Sequence, residues 1–269
     1  MHPILIEFGP FSIRYYGLMY VLGIVAAIFL IRSEVRRKGL PLTEDEQVNF
    51  ILLTVFAGII GARLYYVLFN WSYYRGFPWE IPAVWHGGLA IHGGVLGGIC
   101  SALWYARWKA IPLLRLTDLL SPPLILGQAF GRFGNFMNGD AHGIPTTLPW
   151  GVVFSPQSPA GSQFPGIPLH PTMLYEMAIN LGIFAYLWST RKRPAQDGYL
   201  TMRYLGLYSL GRFGVEFLRA DSLWLGPLRT AQLVSIALLL LSATLIVAWR
   251  LWRPQRLEDR RARSKDRNR

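Results

Sequence analysis

Long apolar segments recur along the chain and are separated by short polar or charged stretches. Seven segments are long enough to cross roughly 30 Å of hydrocarbon as α-helices. They cover residues 13–31, 48–69, 89–105, 117–138, 172–189, 200–218 and 230–251. The fourth and sixth segments contain charged residues, so a hydropathy window can miss them. The pattern predicts an all-α polytopic membrane protein of about seven transmembrane helices, with a long loop between the fourth and fifth.

The basic residues between these segments predict an orientation. They lie after the first segment at 32–38, between the third and fourth at 107–115, and between the fifth and sixth at 191–203. The tail after the seventh segment is also rich in basic residues. The loop at 139–171 has no lysine or arginine. By the positive-inside rule, the N-terminus and this loop are expected outside and the C-terminus in the cytoplasm. We expect one membrane domain over residues 1–252 and a basic cytoplasmic tail over 253–269.

The amino-acid composition supports a membrane setting and argues against several other classes of protein. Of the 269 residues, 52% are hydrophobic and 16% are charged, whereas a soluble domain has about a quarter charged. The net charge of +12 would suit nucleic acid, but many basic residues lie at 250–269, beside an apolar segment. Membrane lipid is therefore the expected partner, and nucleic acid is not. The single cysteine, Cys100, excludes a disulfide framework and a cysteine-based metal site.

Ionisable side chains inside apolar segments are the strongest functional signal. Each costs about 2.5–3.5 kcal/mol at a helix centre on insertion scales, so it is expected to face protein or water. Arg132 and Asn135 lie three positions apart in the fourth segment, and Asn138 repeats that spacing. This predicts a polar stripe on one helix face. Arg212 and Glu216 lie four positions apart in the sixth segment and are expected to pair.

Two further charges extend this set. Glu176 is near the start of the fifth segment, and Arg63 lies in the second. Together, three arginines and two carboxylates leave excess positive charge, which calls for an anion. A lipid phosphate is the local candidate, because the planar guanidinium group can donate two parallel hydrogen bonds to phosphate. The alternative is a buried ion-pair network that only joins helices.

Three other features carry candidate chemistry. His92 follows a glycine-rich stretch, and a histidine can take a proton from a thiol; the alternative is a packed, hydrogen-bonded side chain. Tyr16 shares a helix face with Tyr20, either as part of an aromatic interface belt or as a binding group. The loop at 139–171 is rich in Gly, Pro, Ser and Thr, and it is interpreted either as a lid near the headgroups or as an unstructured connector.

Five motifs in this order resemble the prolipoprotein diacylglyceryl transferase family. They read YYGLMY at 15–20, IHGG at 91–94, GRFGNFMNGDAHG at 131–143, HPTMLYE at 170–176 and GRFGVEF at 211–217. In the third motif, Asp140 stands where the family usually has glutamate. The negative charge is kept, and the side chain is shorter by one methylene group.

The resemblance implies transfer of the diacylglyceryl group of phosphatidylglycerol to the lipobox cysteine thiol of a prolipoprotein. The product is a thioether, and the setting is the bacterial inner membrane. Arg132 and Arg212 would bind the phosphate and His92 would activate the thiol, without a metal or an organic cofactor. Glu176 and Glu216 would orient polar partners. The expected substrate-binding residues are Tyr16, Arg132, Asn135, Asn138, Asp140, Gly143, Glu176, Arg212 and Glu216. Of these, Gly143 would permit a tight turn.

Other functions are compatible with the same charges. A transporter or channel could use them as an ion pathway, but the sequence shows no internal repeat. A different phospholipid-consuming transferase could bind the same anion. A non-enzymatic membrane scaffold would leave the excess arginine charge unexplained.

Overall fold

The computed structural model describes residues 3–8 and 11–254. In this part of the chain the helices are α1 (Tyr15–Lys38), α2 (Glu44–Phe69), α3 (Trp71–Tyr74), α4 (Ile91–Trp108), α5 (Leu113–Asn138), α6 (Pro159–Gln163), α7 (Thr172–Thr190), α8 (Tyr199–Glu216) and α9 (Thr230–Ala248). Strand β1 (Ile4–Phe8) pairs with β2 (Phe11–Arg14), and β3 (Trp224–Leu225) pairs with β4 (Leu228–Arg229).

The predicted helical architecture agrees with these bounds, because each of the seven apolar segments coincides with one long helix. Helices α1, α2 and α9 are long and apolar enough to cross a membrane. The two small antiparallel hairpins were not predicted, and the first of them precedes α1 directly. Apart from residues 253 and 254, the predicted basic tail lies outside the described residues.

The chain divides into two compact units, one formed by residues 1–27 and 120–269 and the other by residues 28–119. In the second unit, α2 and α4 approach each other through small residues. A Cβ added to Gly61, Gly93 or Gly97 would overlap the backbone of the facing helix. Such close backbone approach through small residues is a common way of packing helices in membranes.

Arg63 forms hydrogen bonds with the main chain that leads into α4. The side chain is buried, and its guanidinium group donates hydrogen bonds to the carbonyls of Ile81 (2.8 Å), Gly87 (2.6 Å), Gly88 (3.1 Å) and Glu80. It also lies 5.2 Å from the ring centre of Tyr74. From the sequence, Arg63 was expected to be one of the cations that call for an anion. That expectation is corrected, because backbone carbonyls already accept from all three guanidinium nitrogens.

In the first unit, α5, α7 and α8 meet around an apolar cluster of buried side chains. The cluster contains Ile125, Ile183, Leu187, Leu200 and Tyr204. A cross-helix hydrogen bond lies beside it, since the Gln128 Nε2 group of α5 donates to the Tyr204 hydroxyl of α8 at 2.9 Å. This packing fixes the three helices whose ends carry the charged residues.

The segment between α5 and α7 is folded, so the interpretation as an unstructured connector is wrong. Phe154, Ala160 and Leu169 of this segment form an apolar cluster with Met173 of α7. Val152 and Leu169 exchange two backbone hydrogen bonds of 2.9 Å. The segment is also joined to the chain after α8, because Ile144 N donates to Leu218 O at 2.9 Å.

Candidate active site

Three helices of the first unit bring two arginines to one carboxylate. Arg132 near the end of α5 places its Nη2 atom 2.6 Å from Glu176 Oε2, and Arg212 near the end of α8 places Nη1 2.6 Å from Glu176 Oε1. Glu176 lies near the beginning of α7 and is 3% exposed. The fold therefore converts three residues that are distant in sequence into one contact cluster.

The predicted pair within α8 is present. Arg212 Nη2 lies 2.7 Å from Glu216 Oε2, across the spacing of four residues. Arg212 therefore uses its two terminal nitrogens on two different carboxylates. A planar guanidinium group can span two acceptors in this way, whereas an ammonium group has only one nitrogen to offer.

Arg219 and Asp221 complete the cluster, and neither was predicted from the sequence as a site residue. Arg219 Nη1 lies 3.2 Å from Glu176 Oε1, while its Nη2 and Nε donate to Asp221 at 2.7 and 3.0 Å. Burial by itself lowers the pKa of Arg219, but the carboxylates of Asp221 and Glu176 outweigh it, so the pKa is raised above its ordinary value. The spacing of three residues from Glu216 to Arg219 was the available signal, but Arg219 lay just beyond the predicted segment.

With these two residues included, the cluster is formally neutral. Its cations are Arg132, Arg212 and Arg219, and its anions are Glu176, Glu216 and Asp221. The excess positive charge expected from the sequence is therefore not found in this cluster. Because the cluster has no excess positive charge, an anion that binds there has to displace a carboxylate from one of the arginines.

The predicted polar stripe of α5 forms a connected network. Arg132 Nη1 donates to Asn135 Oδ1 at 3.3 Å. The Asn135 Nδ2 group contacts Asp140 Oδ1 at 2.6 Å and the Tyr16 hydroxyl at 3.4 Å, and Asn138 Nδ2 donates to Asp140 Oδ2 at 3.0 Å. Asp140 thus accepts hydrogen bonds from two amides at the end of α5 and connects to Arg132 through Asn135.

Gly143 was predicted to permit a tight turn, but it lies instead where three stretches of backbone approach closely. A Cβ at this position would lie 2.6 Å from the carbonyl oxygen of His170 and 2.8 Å from that of Leu218. The positive φ angles of this region belong instead to Gly139 (74°) and Ala141 (58°). Gly143 therefore allows the segment after α5 to lie between two other stretches of backbone, and the turn comes before it.

His92 belongs to the other unit, where it is the second residue of α4. Its side chain is exposed, and its ring centre lies 5.8 Å from that of Tyr65. The interpretation as a fully packed histidine does not match this exposure.

Helices that are long and apolar enough to cross a membrane, together with a buried arginine–carboxylate cluster, are the features expected of a membrane protein with a charged functional site. Residues 3–248 match the model of the family described as prolipoprotein diacylglyceryl transferase. The chain therefore belongs to the prolipoprotein diacylglyceryl transferase family, and it is a transferase. The resemblance drawn from the sequence is confirmed, and the transporter or channel alternative is not favoured.

Three bacterial relatives illustrate the similarity, and each is named phosphatidylglycerol–prolipoprotein diacylglyceryl transferase. The protein of Fusobacterium nucleatum subsp. nucleatum is 40% identical over 278 residues, which cover 90% of this chain and 96% of the relative. That of Geobacillus kaustophilus is 40% identical over 268 residues, covering 95% and 96%. That of Trichormus variabilis is 43% identical over 244 residues, covering 87% and 84%.

Proposed function

We propose that this chain transfers the diacylglyceryl group of phosphatidylglycerol to the lipobox cysteine of bacterial prolipoproteins. The observation that carries the proposal is the meeting of Arg132 and Arg212 on Glu176 in a member of this family. In the reaction, the thiolate sulfur attacks the glyceryl carbon that carries the phosphate ester. The C–S bond forms as the C–O bond breaks, and glycerol phosphate leaves with the electron pair.

The two arginines act by exchanging partners. Arg132 and Arg212 are 21% and 17% exposed at their side chains, whereas Arg219 and Glu176 are 9% and 4% exposed. The donor phosphate therefore binds to Arg132 and Arg212, the two more accessible cations, and replaces Glu176 as their partner. Glu176 keeps Arg219, which Asp221 holds in place. Donors arranged before the reaction stabilise the negative charge that grows on the leaving phosphate.

The network around Asn135 supports the donor headgroup. Asn135 and Tyr16 offer hydrogen-bonding groups beside Arg132, and Asp140 and Asn138 hold Asn135 in position. Gly143 keeps the segment after α5 close to the end of α8. Glu216 orients Arg212.

We expect His92→Gln to slow the thiol step more than donor binding. A glutamine amide cannot take the thiol proton, and the thiolate is the nucleophile. The expected result is a kcat reduced about 10²–10⁴-fold, with the KM for phosphatidylglycerol changed less than threefold. Steady-state kinetics on the purified full-length protein measures both constants. A large rise in KM with normal kcat would reassign His92 to headgroup binding.

The decisive assay supplies purified protein with phosphatidylglycerol labelled in its acyl chains and with a peptide that contains a lipobox cysteine. The expected product is the labelled peptide thioether together with released glycerol phosphate. A peptide with serine in place of that cysteine is the control, and it should remain unlabelled. Label on neither peptide would remove the proposed activity, and label on an unrelated acceptor would favour another phospholipid-consuming transferase.

We further propose that the seven long helices form seven spans and that the loop at 139–171 lies outside, as a lid near the headgroups. The N-terminus would be outside, and residues 253–269 would form a cytoplasmic tail. Basic residues at the last turn of α1 and after α7 support this orientation. In a Cys100→Ser background, Gln157→Cys in intact spheroplasts should react with a membrane-impermeant maleimide, and Lys192→Cys should not. The reverse labelling would invert the topology.

A further inference from the structure

A polar layer lies one helical turn deeper than the arginine–carboxylate cluster. Gln128 is four residues before Arg132 in α5, Asn180 is four residues after Glu176 in α7, and Ser209 is three residues before Arg212 in α8. At these spacings each polar residue shares a helix face with its charged neighbour. Since the three charged residues touch, helical spacing places each polar residue on the face that carries this contact, one turn further along its helix.

On the next turn of each helix, on the side away from the charged cluster, the polar layer is followed by apolar residues. Ile125 and Ile183 lie three residues beyond Gln128 and Asn180, and both belong to the apolar cluster that joins α5, α7 and α8. Leu205, four residues beyond Ser209, packs against the same cluster. Along each helix the polar residue therefore lies between a charged layer and an apolar layer, and the members of each of those two layers are in contact.

Three atoms of this polar layer are buried without a hydrogen-bond partner among the described residues. They are Gln128 Oε1, Asn180 Nδ2 and Ser209 Oγ. Asn180 and Ser209 are 2% and 1% exposed. The Gln128 amide is oriented by its Nε2 donation to Tyr204, which leaves Oε1 as an acceptor. Buried polar atoms in folded proteins are almost always paired, so three unpaired atoms on facing helices indicate a missing partner.

The hydrogen-bonding capacities of the three atoms determine which chemical group could be their missing partner. Asn180 Nδ2 can only donate, Gln128 Oε1 can only accept, and Ser209 Oγ can do both. An anion would repel the Gln128 oxygen, and a cation would repel the Asn180 amino group. A hydroxyl group accepts and donates at the same atom and satisfies the whole set. We propose that Gln128, Asn180 and Ser209 form a buried binding site for a hydroxyl group beneath the arginine–carboxylate cluster.

Two sources can supply the hydroxyl group. One is an ordered water, which usually bridges two to four buried polar groups. The other is a hydroxyl of the donor's headgroup glycerol, and this source rests on the proposed function. In the second case the site selects the donor lipid, because a site built to hydrogen-bond a hydroxyl group rejects an analogue that lacks it.

The test compares two donor lipids on the full-length protein in nanodiscs. One is phosphatidylglycerol, and the other has the same phosphodiester with a propyl headgroup in place of glycerol. The variants are Asn180→Leu, which replaces the two polar atoms by methyl groups on the same branched skeleton, and Ser209→Ala, which removes only the hydroxyl group. Ser242→Ala is the matched control, because this buried serine of α9 already donates to Leu239 O at 2.9 Å. The readout is the ratio of kcat/KM for the two lipids, together with a high-resolution map of the wild-type protein.

If the headgroup occupies the site, each variant lowers the preference for the glycerol headgroup about tenfold, and Ser242→Ala leaves it unchanged. An unchanged preference, with ordered density bridging the three side chains, assigns the site to water. Unchanged preference with no density between the side chains overturns the site. If the wild type transfers from neither lipid, the proposed function fails, and the map alone then decides whether the hydroxyl site exists.

Discussion

Arg212→Ala is expected to lower the rate of diacylglyceryl transfer by about 10³-fold or more, and Arg132→Ala by about 10²–10³-fold. Removing one preorganised donor from a developing negative charge costs about this much. The larger effect is assigned to Arg212, because its two terminal nitrogens hold Glu176 and Glu216 at once. The measurement is the initial rate with labelled phosphatidylglycerol and a lipobox peptide, normalised to folded protein.

Two matched variants sharpen this test. Arg212→Lys should remain strongly impaired, since one ammonium nitrogen cannot reproduce the two contacts. Arg203→Ala should retain transfer per folded molecule, because Arg203 of the same helix donates to Thr190 and stacks near Tyr186, outside the cluster. Near-normal transfer by purified Arg132→Ala or Arg212→Ala would remove the phosphate-binding role.

Glu176→Gln is expected to destabilise the folded protein by about 3–5 kcal/mol. Glu176 is the carboxylate that all three arginines of the cluster contact. Its neutralisation leaves three cations with two carboxylates, and breaking a buried ion pair on one side costs about this amount. The thermal unfolding temperature of the purified protein measures the loss.

The same variant tests whether the cluster accepts an anion. Once the Glu176 charge is gone, the cluster has a net positive charge, so inorganic phosphate should stabilise Glu176→Gln more than it stabilises the wild type. Chloride at equal ionic strength is the reference. Glu44→Gln, which removes an exposed ion pair with Arg36, should change little. Equal unfolding temperatures for Glu176→Gln and the wild type, with no phosphate effect, would refute the central role of Glu176.

The local features of the site were predictable because they depend on helix periodicity alone. The pair Arg212–Glu216 and the contact Arg132–Asn135 follow from spacings of four and three residues. Most helix bounds were predicted within four residues, as for α5, which begins at Leu113 against a predicted 117, but α1 continues to Lys38, seven residues beyond its predicted end. Apolar length and helical spacing are properties of a single segment, so the sequence carries them directly.

The charge balance could not be predicted in the same way. Arg63 and Arg132 look alike in sequence, since each is a lone arginine in an apolar segment. Only the fold shows that Arg63 is saturated by backbone carbonyls, whereas Arg132 meets a carboxylate from another helix. The neutralising pair Arg219 and Asp221 lies beyond the helix end, where periodicity gives no guidance.

The helical segments, the membrane setting and the family can be inferred from the order of amino acids alone, because they follow from apolar length and from residues in a fixed order. The tertiary structure decided that Arg132, Glu176, Arg212 and Arg219 share one neutral cluster. It also leaves Gln128, Asn180 and Ser209, one helical turn from that cluster, each with a buried polar atom that has no partner among the described residues. Which charges and hydrogen bonds are satisfied depends on side chains that meet across helices, and no spacing along one helix specifies those partners.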